Sequence, residues 1–171
     1  MQILKAFEQA GPAKYPEGVH IIITKTPDGR YNPMSASWVM FTSIEPRMLA
    51  VSIGFERYTY ELIQAQGEFV AAIPSADMGE EVEFFGSNSG RDMDKFAELG
   101  TPTQKASEID CVLLKEARAN FECRVTGSHG TGDHMIFSAE IVAAHVHENP
   151  APRLYVTGRK TFGGLVPDKS G

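Results

Sequence analysis

Tyr31-Asn-Pro-Met-Ser-Ala-Ser-Trp38 opens the decisive stretch of this chain. An apolar run, broken at Glu45-Pro46, carries it on to Ser52-Ile53, and Arg57-Tyr58-Thr59 closes it. On a strand, Ser35 and Ser37 face one side, with Met34, Ala36 and Trp38 on the other. A helix starting near Thr59 aims free N–H groups and a partial positive charge at its N-terminus. Arg57, just before it, adds a full charge and a planar fork. Hydroxyls, backbone donors and one cation together suit a phosphomonoester. A plainer reading stays open: serines on a solvated strand face, a surface arginine, and Thr59 as an ordinary cap.

Outward from this stretch, strand signals dominate. Gly18 to Thr24 carries Val19, Ile21, Ile22 and Ile23 and reads as a buried strand, followed by a tight turn at Thr26-Pro27-Asp28-Gly29. Met34 to Thr42, Met48 to Ile53 and Glu68 to Ile73 are further strands. Ala117 to Thr126 and His134 to Val146 form a hairpin through the glycine-rich segment Gly127 to Asp133, and Tyr155-Val156 adds a last short strand. Helices are few: Thr59 to Ala65, capped by Thr59 and Gly67; Met78 to Phe85, capped by Asp77; and a turn over Asp92 to Leu99. The expected fold class is mainly β with a few short helices. A small closed or nearly closed barrel would hide the sheet edges. No repeat or linker divides the chain, so one domain is expected over 1–171, with its core at about 18–164.

The formal net charge of −6 argues against a nucleic-acid partner, which needs a basic face. Apolar runs are too short to span a bilayer, and Met1 to Pro16 lacks the pattern of a signal peptide. Cys111 and Cys123 are expected to be reduced, and the setting cytoplasmic. Gly158-Arg-Lys-Thr161 lacks the upstream glycine of a phosphate loop, and Gly127 to Gly132 lacks the dinucleotide spacing. His145, His147 and Glu148 have metal-ligand chemistry but sit at a strand end, where a solvated surface is the expectation and no metal is assigned. No nucleophile elbow occurs.

In order and spacing, several segments resemble the flavin reductase-like family, with its FMN-binding split β-barrel, and within it the flavoredoxin-like branch. They are Asn32-Pro-Met-Ser-Ala-Ser-Trp38, Glu45-Pro46, Ser52-Ile53 through Thr59, and Gly67-Glu-Phe-Val-Ala-Ala-Ile-Pro74. Ser89-Gly-Arg-Asp-Met-Asp-Lys-Phe96 and Gly132-Asp-His134 continue the match, which runs from about Gly18 to about Gly164.

The resemblance implies a homodimer with FMN near the subunit interface. Asn32, Met34, Ser35, Ala36, Ser37 and Trp38 would line the ring and ribityl chain, and Ser52, Ile53 and Gly54 would continue that wall. Arg57 and Thr59 would hold the phosphate, with Tyr58 nearby. Lys95 and Phe96 would reach the flavin, from this chain or its partner, and His134 would lie near the flavin or nicotinamide. Pro33 removes one backbone donor, and Glu56 sets an acid beside Arg57.

Flavin chemistry asks for positioning and electrostatics, so no general acid or base is expected. The expected activity is electron transfer from NAD(P)H through FMN to flavin or another small acceptor. The alternatives are a flavoredoxin-like carrier served by a protein donor, and a flavin-free binding module.

Overall fold

The computed structural model describes residues 2–165. Met1 and 166–171, at the two ends of the expected domain, lie outside the described residues. After a short helix α1 (Phe7–Ala10) and a 3-10 turn (Gly11–Lys14) come β1 (Glu17–Gly18), β2 (His20–Lys25), β3 (Tyr31–Ala36), β4 (Val39–Ser43) and β5 (Met48–Gly54). Then follow α2 (Tyr58–Gln66), β6 (Glu68–Ile73), α3 (Gly79–Ser87), α4 (Lys95–Leu99), β7 (Thr103–Lys105) and β8 (Val112–Leu114). The chain continues through β9 (Ala119–Thr131), β10 (His134–Val146), β11 (Arg153–Gly158) and β12 (Thr161–Leu165).

Seven strands form one antiparallel sheet in the order β3-β2-β6-β9-β10-β5-β4. Among the described residues no ladder joins its ends, β3 and β4, so the barrel is split there. Two-residue alternation builds two cores, one on each side of this wall. Ile22, Phe69 and Ala71 join Val51, Ile53, Cys123 and Phe137 in one. Ile21, Ile23, Val70 and Ala72 join Val82, Phe85 and Leu154 in the other. With both faces covered, β2 and β6 read as continuous apolar runs.

Several boundaries differ from the sequence expectation. The single strand expected over Met34 to Thr42 is two strands, broken at Ser37-Trp38. There the Val39 N–H turns back to the Ser37 carbonyl (3.0 Å), and the Ser52 N–H donates to the Trp38 carbonyl (2.9 Å). The glycine-rich segment is not a loop: β9 runs on to Thr131 and pairs with His134, leaving only Gly132-Asp133 to turn. Glycines have no side chain to favour a strand, but a long partner strand supplies the ladder that propensity alone does not. Asp77 does not cap α3, whose N-cap position is Met78, and α4 starts late because the Asp94 carboxylate accepts the Phe96 and Ala97 N–H groups (3.1 Å each).

Pro33 sits in edge strand β3, where its missing N–H disturbs no second ladder. Cys111 and Cys123 are free and buried, and burial pushes the Cys111 thiol up to about 12. No helix among the described residues is long and apolar enough to cross a membrane.

Candidate functional site

The split in the barrel is also its cleft. Ladder pairing sets His134 opposite Gly54 and Ile136 opposite Ser52, so the start of β10 and the end of β5 reach the same rim. Across the gap lie the end of β3 and the Ser37-Trp38 corner. These elements enclose a cavity of about 270 Å³, lined among others by Met34, Ala36, Ser37, Trp38, Ile53 and Gly54. Ser35, Ser52, Arg57 and His134 also line it.

A second cavity of about 180 Å³ shares Met34, Arg57 and Gly86 with the first, so the two are one bent cleft. Asn32, Tyr58, Thr59 and Lys95 line this inner part, with the loop 87–91 as its far wall. Of the sequence-predicted residues, only Phe96 lines neither cavity. It packs edge-on against Phe85 in the core, with ring centres 5.5 Å apart.

The inner end has unusual electrostatics. Lys95 is 2% exposed and no carboxylate pairs with it among the described residues. Its Nζ donates only to the Phe85 and Asn88 carbonyls (3.2 Å each). Burial lowers its pKa to about 8. Beside it, Asn32 is also 2% exposed; its Nδ2 donates to Thr59 Oγ1 at 2.9 Å, while its Oδ1 has no partner. A Cβ on Gly90 would lie 2.0 Å from that Oδ1, so only glycine lets the loop close on Asn32. Thr59 is thus not the cap of α2. Arg57 holds the N-cap position without a side-chain cap, and the Thr59 hydroxyl is turned inward to Asn32 instead. The Tyr60 N–H already turns back to the Arg57 carbonyl (3.0 Å), which leaves the Tyr58 and Thr59 N–H groups as the unpartnered donors of the first turn.

The outer end is polar on one wall and aromatic on the other. Ser35 Oγ donates to the Val82 carbonyl (2.6 Å), so its proton ties α3 to β3 and is not free for a ligand. Trp38 is 55% exposed, and its ring lies 4.8 Å from that of His134 at a 43° tilt. The His134 Nδ1 is hydrogen-bonded to the neighbouring Asp133 carboxylate, and that bond lowers the Asp133 pKa. Arg57 Nε pairs with Glu56 Oε1 at 3.0 Å, so the acid noted beside it does engage it.

Residues missed by sequence reading also line the cleft. Lys14 and Glu17, paired at 2.7 Å, reach the outer cavity from the N-terminal segment. No local motif marks them. Gly86 and the run Ser87 to Arg91 belong to the inner cavity. Ser89, Gly90 and Arg91 fall within the segment Ser89 to Phe96 that carries the family resemblance, which gave them no role.

At the strand end expected to be solvated, Glu148 is exposed and His147 half-buried, but His145 is also tied to the fold. His145 Nε2 lies 2.7 Å from the carboxylate of Glu122, which is 0% exposed. Among the described residues no group of three His, Cys, Asp or Glu side chains could hold a metal ion.

The residues of the cleft have the chemistry to hold a phosphorylated flavin. A buried lysine, a hydroxyl and helix N–H groups suit a phosphate. The unpaired Asn32 Oδ1 is an acceptor and asks for a hydroxyl, as a ribityl chain offers. Met34, Ile53 and Trp38 offer apolar surface to a ring.

Comparison with known proteins gives the same direction. A model of the flavin reductase like domain matches residues 13–164. An uncharacterised protein of Archaeoglobus fulgidus is 36% identical over 128 residues, covering 75% of this chain and 71% of that one. A Variovorax paradoxus protein named FMN reductase (NADH) RutF is 30% identical over 139 residues, covering 81% and 74%. The crystal structure of a flavoredoxin from Methanosarcina acetivorans superposes with a TM-score of 0.81 at 26% identity, covering 92% and 89%.

Proposed function

The chain belongs to the flavin reductase-like family, and from that premise we propose that it is an FMN-binding oxidoreductase taking electrons from NAD(P)H. The observation that carries the reading is Lys95, a buried cation with no carboxylate partner among the described residues that lines the inner cavity. Burying a lone ammonium is costly unless an anion compensates it. A phosphate there would be compensated by Lys95, the Thr59 hydroxyl and the first N–H groups of α2, with Arg57 at the bend.

Bound FMN would supply the redox chemistry, accepting hydride and passing electrons on. The chain's own residues bind and orient. Asn32 and Thr59 fix the floor of the inner cavity, while Ser37, Ser52 and Gly54 line the outer one. Trp38 and His134 form its mouth, where a nicotinamide or another small partner would arrive.

The fold's unmatched surface supports a homodimer. Met40, Phe41 and Ile44 are exposed apolar side chains on or just after β4, an open sheet edge beside Trp38. A second copy covering this edge would also wall the mouth of the cleft. Residence in the cytoplasm and a single domain spanning the chain complete the proposal.

A second reading, an electron carrier with a protein donor, is favoured by the similarity to a flavoredoxin structure. One experiment separates them. The purified protein is titrated with FMN, its visible spectrum recorded, and NADH or NADPH added without oxygen. Bleaching by either nucleotide supports the reductase and names its donor. A bound flavin that resists both supports the carrier. Absence of binding overturns the flavin reading.

A further inference from the structure

A separate cavity of about 90 Å³ is lined by His20 of β2, Arg153 of β11 and the apolar side chains Val39, Met40, Phe41 and Phe121, among others. None of its lining residues lines either part of the flavin cleft. Alternation puts His20 on the same face of β2 as Ile22, where Val39 and Phe121 also pack on the core. Arg153 comes from a second, three-stranded sheet, β1-β11-β12. It passes Gly18 of that sheet, where an added Cβ would lie 2.5 Å from Arg153 Nη2, so only glycine leaves room for the guanidinium.

The polar side of this cavity is incompletely satisfied. Arg153 Nη2 lies 3.4 Å from His20 Nε2. Burial, helped by the Arg153 charge, lowers the His20 pKa to about 3, so the ring is neutral. A guanidinium only donates, so Nε2 accepts and the one ring proton sits on Nδ1. His20 is 6% exposed, and its Nδ1 has no hydrogen-bond partner among the described residues. The same holds for the enclosed Nε of Arg153. Two buried N–H donors are thus unmet, which costs free energy unless an acceptor reaches them. The guanidinium also lies 5.3 Å from the centre of the Tyr155 ring, and no carboxylate pairs with it among the described residues.

These features ask three things of an occupant: a negative charge, acceptor oxygens and an apolar body. The space equals that of about three waters. Water would bring acceptors without a charge, and inorganic phosphate a charge with nothing for the apolar walls. A short alkyl carboxylate brings all three. The Phe41 and Phe121 rings meet edge-on, 5.5 Å apart, so the apolar wall is already built. Met40 and Phe41 are exposed, which gives the cavity a surface opening along them.

We propose that His20 and Arg153 form a binding site for the carboxylate of a short-chain organic acid, with Met40, Phe41 and Phe121 around its alkyl chain. The site uses no residue of the flavin cleft, so it stands or falls independently of the flavin reading.

The test is calorimetric titration of the full-length protein, at fixed salt, with butyrate, its uncharged isostere butyramide, and inorganic phosphate. The wild type should bind butyrate saturably and about tenfold or more tighter than either of the others. Arg153→Met should weaken butyrate about tenfold and leave butyramide unchanged. Gly18→Ala, which displaces the guanidinium without removing it, should weaken butyrate about threefold or more. Far-UV circular dichroism checks folding, and Arg153→Lys, which keeps the charge, should retain part of the affinity if Arg153→Met fails to fold. Absence of saturable butyrate binding to the wild type would mean that water meets both donors, and would overturn the site. Equal binding of butyramide would reduce it to an apolar hollow, equal binding of phosphate would remove the carboxylate assignment, and butyrate binding unchanged in Arg153→Met would place the acid elsewhere. An assembly that dissociates in Arg153→Met while the wild type ignores butyrate would give the charge to a contact with a second copy, and overturn the proposal as well.

Discussion

Glu122 and Lys95 are both buried ions, and the chain surrounds them differently. The Glu122 carboxylate accepts from the Ser107 N–H and hydroxyl (2.8 Å each), the Glu108 N–H (2.7 Å) and the Ile109 N–H (3.1 Å). His145 adds a fifth contact. Every partner comes from the fold, and the arrangement pins the loop 107–109 onto β9. Lys95 has two carbonyls and an adjoining cavity. Buried ions are tolerated when compensated. The first charge is compensated by the protein, and the second waits for something else. On the proposed reading, a satisfied buried charge marks structure, whereas an unsatisfied one beside a cavity marks a ligand.

The comparison breaks most visibly at Glu122. Replacing it by alanine strands three backbone donors and a histidine, and should cost about 3–5 kcal/mol of unfolding free energy. Urea denaturation measures it. Flavin affinity of the folded fraction should not change. A loss below about 1 kcal/mol would mean that the loop finds water instead and that Glu122 is not structural. Acid supplies a second handle. Burial would raise this carboxyl, but the N–H groups of Ser107 and Glu108 and the His145 and Ser107 contacts outweigh it, leaving its pKa at about 2 instead of 4.5. A depressed folded-state value means stability that is complete above the unfolded value and lost as protons bind. Stability should thus fall between about pH 4.5 and 2, and this limb should flatten in Glu122→Gln.

Lys95 should behave in the opposite sense. Lys95→Met removes a charge-assisted contact to phosphate and should weaken FMN about 10- to 100-fold, with riboflavin unchanged. Stability without flavin should hold or rise, because the variant no longer buries a charge. If it fell by several kcal/mol instead, Lys95 would be structural and the contrast with Glu122 would vanish. The pH dependence has its own sign. Burial lowers the Lys95 pKa to about 8 from 10.5, so the unfolded chain binds more protons between these values. Flavin-free stability should gain from this group as pH rises from about 8 to 10.5. FMN affinity should decline above about pH 8 as the free protein loses that charge, and riboflavin affinity should not.

This contrast also explains what the chain reveals before it folds. Strands such as Ile21 to Ile23 and Phe69 to Ala72 were legible because a short continuous apolar run between turn signals is a local mark of a strand buried on both faces. Ser35, Ser37, Arg57 and Thr59 read as a phosphate-type set from their residue types, but the fold divides them, placing both serines on the outer cavity and Thr59 on the inner one. What they do in detail was not legible. Ser35 gives its proton to α3, and Thr59 turns to Asn32 instead of capping its helix, because partners 47 and 27 residues away decide it. Glu122 looked like any strand glutamate. Its meaning lies in the loop 107–109, which only the fold brings over it. The Arg153–His20 pair joins segments 133 residues apart and leaves the same blank.

Thr59 is where the two kinds of region meet, so it yields the smallest and sharpest test. Its hydroxyl accepts from the nearly enclosed Asn32 amide, a structural duty like those around Glu122. Thr59 also lines the inner cavity with Lys95. Thr59→Val keeps the shape and removes the hydroxyl, leaving Asn32 without a partner at either end of its amide. The expected cost is about 1 kcal/mol of stability together with about a tenfold loss of FMN affinity. Thr59→Ser should restore both. Loss of stability alone would assign Thr59 to the fold and confine the phosphate site to Lys95, Arg57 and the helix N–H groups. Loss of affinity alone would mean that Asn32 repairs itself with water, and that the boundary between structure and site runs through Asn32 instead.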